Sequence, residues 1–321
     1  MKINRKMIPF AAVRAAQIAE ELVFPRRCPV CDRPVRPFGA LICPDCEPML
    51  HRVKEPVCHR CGKPLRSKAD QFCADCLRIP HIFDRGCAVF TYHSAAGGIF
   101  RFKYGGRREY SAYYGRCMAQ RLRELCAELS AAEQTDRGTM QPRAVSADNR
   151  TGKRYAQADR QAEKRYAQAD HQAGKRYPAG AALADRTPPR MVFDMLVPVP
   201  VSSRRYRKRG YNQAALLAGE ISRDTGIPVR EDLLQRTADT LPMKNMGFAD
   251  RQNNLKKAFH CSGNDVKLSS IMLIDDIYTT GATVDACAQA LYRRGAARVC
   301  FLTLAIGEDG YSAQGEEYNA E

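Results

Sequence analysis

From Cys87 onward, apolar and polar positions along the chain fall into two alternating periods. Cys87-Ala-Val-Phe-Thr-Tyr92 reads as a strand, and Ala112 to Leu129 repeats its apolar residues at helical spacing. The pattern resumes at Met191. Met195-Leu-Val-Pro-Val199 predicts a buried strand, and Gln213 to Thr225 a helix closed by Gly226. Ile271-Met-Leu-Ile274 predicts a short central strand, Thr283 to Arg294 a helix closed by Gly295, and Arg298 to Ala305 a further strand. Strands alternating with helices of this length predict βαβ units, hence an α/β fold with a parallel sheet covered on both faces.

Three stretches stand outside that alternation. Residues from about 130 to 190 repeat Lys153-Arg-Tyr-Ala-Gln-Ala-Asp159 at Lys164 and, in part, at Lys175, with few large apolar side chains. Such a segment cannot bury enough surface to offset chain entropy, so it is expected to be an insertion, disordered or at most a solvated helix. At the N-terminus, Lys2, Arg5 and Lys6 precede the apolar run Met7 to Val13, in imitation of a signal peptide. Arg14, Glu20 and Glu21 follow, with no small-residue cleavage site, which predicts an amphipathic helix over 1–24 and a cytoplasmic chain. The tail after Gly307 is polar.

The 321 residues suffice for about two domains, each with its own core. No window approaches the ~20 apolar residues of a membrane helix. Lys and Arg (51) exceed Asp and Glu (35) by 16, a balance that attracts polyanions, phosphorylated metabolites or an acidic partner.

Fourteen cysteines in a reducing compartment call for a metal rather than disulfides. Eight of them form four Cys-x-x-Cys pairs, Cys28/Cys31, Cys43/Cys46, Cys58/Cys61 and Cys73/Cys76, with eleven residues between successive pairs. The second half repeats the first at an offset of 30, Cys31-Asp-Arg-Pro34 aligning with Cys61-Gly-Lys-Pro64. Thiolates at i and i+3 fit a tight turn, and two such turns close a tetrahedral Zn²⁺ shell. Four pairs make two sites, paired sequentially in the simplest assignment or cross-braced, first pair with third. Four thiolates leave no open position, so both ions are expected to be structural. His51, His59, His81 and His93 are then surface or core residues. Cys87, Cys117, Cys126, Cys261, Cys287 and Cys300, which lack ligand spacing, are expected as small core side chains.

The most informative stretch is Ile271-Met-Leu-Ile-Asp-Asp-Ile-Tyr-Thr-Thr-Gly-Ala-Thr283. A buried strand carries Asp275 and Asp276 to its C-terminal end, where open parallel sheets bind ligands. Gly281 permits close approach of backbone. The N–H groups of the loop Thr279, Thr280, Gly281, Ala282 and Thr283, its hydroxyls, and the start of the next helix suit a phosphate. Carboxylates suit sugar hydroxyls, or a Mg²⁺ bridging to them. Together these are the needs of a sugar phosphate.

These residues resemble the signature of phosphoribosyltransferases that use 5-phosphoribosyl-1-pyrophosphate (PRPP). That resemblance implies a type I phosphoribosyltransferase-like domain with a parallel sheet of about five strands, an acidic pair on the ribose hydroxyls, a loop holding the 5'-phosphate, and Mg²⁺ bound with PRPP. Val197-Pro-Val-Pro200, Arg204-Arg-Tyr-Arg-Lys-Arg-Gly-Tyr-Asn-Gln213, Arg251-Gln-Asn-Asn-Leu-Lys-Lys-Ala-Phe259 and Phe102-Lys-Tyr-Gly105 extend the match to the ComF family of competence-associated proteins, which also carry N-terminal cysteine knuckles. Met243, where the family often has Gln, and the insertion depart from it. The expected organisation is an N-terminal helix (1–24), a double zinc ribbon (25–80) and a phosphoribosyltransferase-like domain (81–321).

Arg204, Arg205, Arg207, Lys208 and Arg209 put five cations within six residues of a basic loop. They suit a pyrophosphate leaving group or, with Tyr206 and Tyr211, single-stranded nucleic acid. Two readings follow. One is a glycosyltransferase that moves phosphoribosyl from PRPP to an unidentified nitrogen acceptor, with a role in DNA uptake during natural transformation implied by the resemblance; no general base is apparent. The other is a non-catalytic competence factor that binds single-stranded DNA and competence-machinery proteins beside a sensory or relic PRPP pocket.

Overall fold

In a computed structural model, residues 25–37, 39–138, 192–236, 258–262 and 266–307 are described, with side chains of the long helix as far as Ala131. The expected N-terminal helix, most of the insertion, Met243, the stretch 251–257 and the tail lie outside the described residues. In chain order come helix α1 (Ala74–Arg78), strand β1 (Gly86–Thr91), helices α2 (Tyr92–Tyr104) and α3 (Tyr110–Gly138), and strand β2 (Met195–Pro198). Helices α4 (Ser203–Arg209) and α5 (Gln213–Thr225) follow, then strands β3 (Leu234–Arg236), β4 (Phe259–Cys261) and β5 (Ser270–Tyr278), helix α6 (Ala282–Tyr292) and strand β6 (Arg298–Ile306).

The near-continuous apolar runs of β1, β2, β5 and β6 make one sheet in the order β1-β6-β5-β2, with every neighbouring pair parallel. Such runs suit strands buried on both faces. Ile271 and Leu273 pack on one side with α6, β3 and β4, while Met272 and Ile274 pack on the other with α2, α3 and α5. Each fully buried Leu, Ile or Phe here contributes roughly 1.5–3 kcal/mol by leaving water. This is the α/β architecture read from the sequence, and it is consistent with the phosphoribosyltransferase-like fold.

Four boundaries differ from expectation. The sheet has four strands among the described residues rather than about five; β3 and β4 form a separate antiparallel pair, and Val229 adds only a single bridge beside Leu196. Strand β5 does not stop at Ile274, because β6 keeps pairing with it through Asp275–Thr303, Ile277–Ala305 and Tyr278–Ile306. Helix α3 runs past Leu129 to Gly138, since Ala131, Ala132, Glu133 and Gln134 favour helix although the apolar stripe has ended. The expected basic loop is helix α4, started by the Ser202 hydroxyl accepting from Arg205 N and stopped by left-handed Gly210.

The cysteine-rich region repeats in space as it does in sequence. Cys28 N donates to Arg33 O and Asp32 N to Cys28 O; thirty residues on, Cys58 N donates to Lys63 O and Gly62 N to Cys58 O. Position 32/62 is left-handed in both halves (φ 57° and 77°). Their surroundings differ. The Asp32 carboxylate accepts from Tyr110 Oη (2.7 Å) and meets Arg107 Nε (2.9 Å), which fastens the first module to α3. Burial opposes that charge, but the bonds from Arg107 and Tyr110 outweigh it and hold the carboxyl below its usual value. Gly62 instead abuts β1, where a Cβ would lie 2.7 Å from Gly86 O. The two modules therefore sit against opposite faces of the sheet, with Cys28 in the α2/α3 core and Cys58, Cys61, Cys73 and Cys76 in the α6 core.

Candidate active site and metal centres

The thiols gather sequentially. Cys28, Cys31, Cys43 and Cys46 form one cluster and Cys58, Cys61, Cys73 and Cys76 the other, with all ligand atoms in each within 4.8 Å of one another. The donor set is the four-sulfur set of a structural zinc site, and its short loops favour it over a cross-braced arrangement. Burial opposes a Cys28 thiolate, yet backbone N–H groups of Cys43, Cys31 and Val30 bring its pKa below the ordinary value, as a metal-binding turn requires. The six other cysteines are buried. Of the four histidines noted near the ribbon, only His81 is buried.

Asp275 and Asp276 lie within β5, not beyond it, near its C-terminal end. Both are partly buried. Asp276 Oδ1 lies 2.9 Å from Lys103 Nζ of α2, with both side chains less than a fifth exposed. Asp275 is on the α6 side; its Oδ1 accepts from Asp276 N at 2.8 Å. Protein packed around it, and then the Asp276 charge, push its carboxyl up to about 7, against the pull of Lys103 and Arg205. Such a group, poised near neutrality in the ligand-binding region of a sheet, is the kind that active sites contain. Opposite it on β6, Thr303 Oγ1 is buried without a hydrogen-bond partner among the described residues.

Thr279 and Thr280 are exposed, and Gly281 is the left-handed N-cap (φ 78°) of α6. Helices α4 and α5 begin with side-chain caps from Ser202 and Asn212, whereas α6 begins with none. The N–H groups of Ala282 and Thr283 thus head an eleven-residue helix whose positive end suits an anion. Gly281 is required twice over: its φ disfavours a side chain, and a Cβ would lie 2.6 Å from the Tyr278 hydroxyl oxygen and 2.7 Å from His81 Cε1. Tyr278 stacks on Phe301 (4.6 Å between ring centroids). Burial and then the Cys61 and Cys76 charges drive its phenol upward, and Tyr278 packs in the same core cluster as the second set of thiols.

On α4, Arg204, Arg205, Arg207 and Lys208 are exposed and Arg209 is half-buried. Arg209 lies over the Tyr104 ring (4.7 Å) and donates to its hydroxyl at 2.9 Å; Tyr104 in turn meets Phe100 at 5.1 Å. Phe100, Tyr104 and Tyr206 are each more than half exposed. Lys103, Tyr104 and Phe100 are not among the site residues expected from sequence; the signal that points to them is the Phe102-Lys-Tyr-Gly105 motif, whose proximity to β5 and α4 only the fold creates. No helix among the described residues is long and apolar enough to cross a membrane.

A family model described as a double zinc ribbon domain matches residues 19–77. "Competence protein F" of Haemophilus influenzae is 34% identical over 114 residues, 35% of this chain and 50% of that protein. "DNA utilization protein YhgH" of Escherichia coli K12 is 36% identical over 116 residues, 36% of this chain and 51% of its own length. "Competence protein ComFC" of Bacillus subtilis is 34% identical over 119 residues, covering 34% and 43% of the two chains. The chain thus spans about half the length of the curated relatives it matches. The ribbon match, the paired thiol clusters and these similarities support the likeness to the ComF family read from the sequence.

Proposed function

We propose that the chain binds Mg²⁺·PRPP at the C-terminal end of β5 and serves in DNA uptake, transferring the phosphoribosyl group to a nitrogen acceptor. The observation that carries this reading is a single run of chain: two partly buried carboxylates, one with its pKa near 7, followed at once by exposed hydroxyls, a left-handed glycine and an uncapped helix start. The Thr279–Thr283 loop would hold the 5'-phosphate, and Asp275 and Asp276 the ribose hydroxyls. Mg²⁺ would neutralise the pyrophosphate. In the reaction the acceptor nitrogen bonds to the anomeric carbon, the C1–O bond to pyrophosphate breaks, and pyrophosphate leaves with both electrons. The acceptor N–H proton passes to solvent. Lys103 and Arg205, which already act on the acidic pair, would stabilise the departing anion. The names of the relatives, competence and DNA utilization proteins, support the cellular role.

The test is pyrophosphate release from PRPP with a panel of nucleobases and amines, for the wild type and for Asp275→Asn/Asp276→Asn. Release by the wild type alone is expected. No release with any acceptor counts against transfer.

A second reading is favoured by the stack of Arg209 on Tyr104 beside exposed Phe100, since single-stranded nucleic acid binds through cations and aromatic faces together. Here α2 and α4 carry a strand, and the PRPP pocket is a sensor. Binding of a labelled thymidine oligomer that loses salt dependence on charge reversal at Arg204, Arg205, Arg207, Lys208 and Arg209 supports it; equal binding by that variant excludes it.

A further inference from the structure

His81 lies in the segment that leads from the second zinc module into β1, and its side chain is wholly buried. Its Nδ1 is 2.7 Å from Asp285 Oδ2, and the neighbouring Ile82 N donates to Asp285 Oδ1 at 3.0 Å. The ring stacks on Phe83, with 4.9 Å between centroids. Arg60, inside the Cys58-His-Arg-Cys61 turn, donates through Nη1 to His81 O at 3.1 Å. On its other side the ring bounds Gly281, where a Cβ would approach Cε1 to 2.7 Å and Nδ1 to 3.0 Å. A short run of contacts thus joins the second metal cluster to the loop proposed to hold phosphate.

Asp285 stands in the first turn of α6. A carboxylate there steadies the helix while its positive end is free, but it opposes a second anion arriving at the same end. Both of its oxygens are engaged by donors from the ribbon-to-strand segment. Those donors draw off the charge that a phosphate would otherwise face, and the imidazole supplies the floor under Gly281.

We propose that His81 is a positioning residue of the 5'-phosphate loop, and that through it the second zinc module, but not the first, is a structural part of the sugar-phosphate site. This rests on the PRPP reading and extends it by making one half of the ribbon part of the ligand site.

The test is calorimetric binding of two probes, ribose 5-phosphate and Mg²⁺·pyrophosphate, to the full zinc-loaded chain. His81→Ala is expected to weaken ribose 5-phosphate by about tenfold or more, the scale of one uncompensated charge at this range. Its affinity for Mg²⁺·pyrophosphate should stay within about twofold, a change of only ~0.4 kcal/mol. His81→Asn, which keeps an N–H donor for Asp285, and His81→Ala/Asp285→Asn, which removes the charge needing it, should both recover most of the ribose 5-phosphate affinity. A general loosening of the fold would weaken both probes and recover in neither. Cys58→Ser should lose ribose 5-phosphate binding while Cys28→Ser keeps it. Wild-type affinity in His81→Ala, equal loss of both probes, or no recovery in the double variant overturns the proposal. If the wild type binds PRPP but all His81 variants match it, only the role of His81 falls; if the wild type binds neither ribose 5-phosphate nor PRPP, the PRPP reading falls and this inference with it.

Discussion

Asp275→Asn should stabilise the protein while weakening the proposed PRPP binding. Burial and the Asp276 charge raise the Asp275 carboxyl from 3.8 to about 7, so the ionised form is disfavoured in the folded state. At about 1.4 kcal/mol for each tenfold change in proton affinity, the charge costs the fold up to roughly 4 kcal/mol at pH 8. Solvent on the part-exposed side chain reduces this to an expected ~1–3 kcal/mol. Asparagine is uncharged and keeps an oxygen to accept from Asp276 N, the one hydrogen bond that Asp275 Oδ1 makes along the strand. The folded-state value is raised, so the favourable contribution of the protonated form is complete below pH 3.8 and is lost as pH rises through about 7. The advantage of the variant should therefore be small in acid, grow through neutrality and level off above it. Urea unfolding of both zinc-loaded proteins at several pH values measures this as a shift of midpoint at unchanged slope. An Asn variant that is less stable than wild type at pH 8, or whose advantage grows on acidification, refutes the electrostatic reasoning. Stability gained together with binding lost is the usual mark of a residue kept for function.

Gly281→Ala should cost about 1–3 kcal/mol, because alanine disfavours φ 78° and its methyl would press on the Tyr278 hydroxyl and the His81 ring; a melting temperature equal to wild type would contradict the loop geometry. Lys103→Met strands the Asp276 carboxylate and should destabilise by about 1–3 kcal/mol, with much of the loss recovered in Lys103→Met/Asp276→Asn. Additive losses in that double variant would mean that the pair does not interact. Thiol modification should release about two zinc ions per chain, and Cys28→Ser and Cys58→Ser about one each; loss of both ions from either single variant would argue against two separate sites.

The strands and the larger helices were legible because their apolar periodicity is strong, and the metal sites because the eight thiols repeat at an offset of 30. Sequence could not choose sequential over cross-braced pairing, since both use the same spacing; the folded knuckles do. The end of β5 was misjudged because charged residues read as the end of a strand, whereas the hydrogen-bond ladder to β6 continues through Asp275 as far as Tyr278. Helix α4 looked like a loop because five cations carry no apolar period; its ends are fixed by Ser202 and Gly210 instead. Lys103, Tyr104 and His81 were beyond reach for another reason. Their partners Asp276, Arg209 and Asp285 are more than a hundred residues away in sequence, so these contacts exist only once the sheet brings the segments together.

On the proposed function, the acidic pair of β5 and the bend after it hold a ribose 5-phosphate unit. Titration calorimetry of Mg²⁺·PRPP into the zinc-loaded chain tests it most directly, with Asp275→Asn/Asp276→Asn alongside. Saturable binding of one PRPP per chain, absent from the double variant while both zinc ions remain, is the expected result. No heat of binding from the wild type, or equal binding by the two proteins, would contradict it.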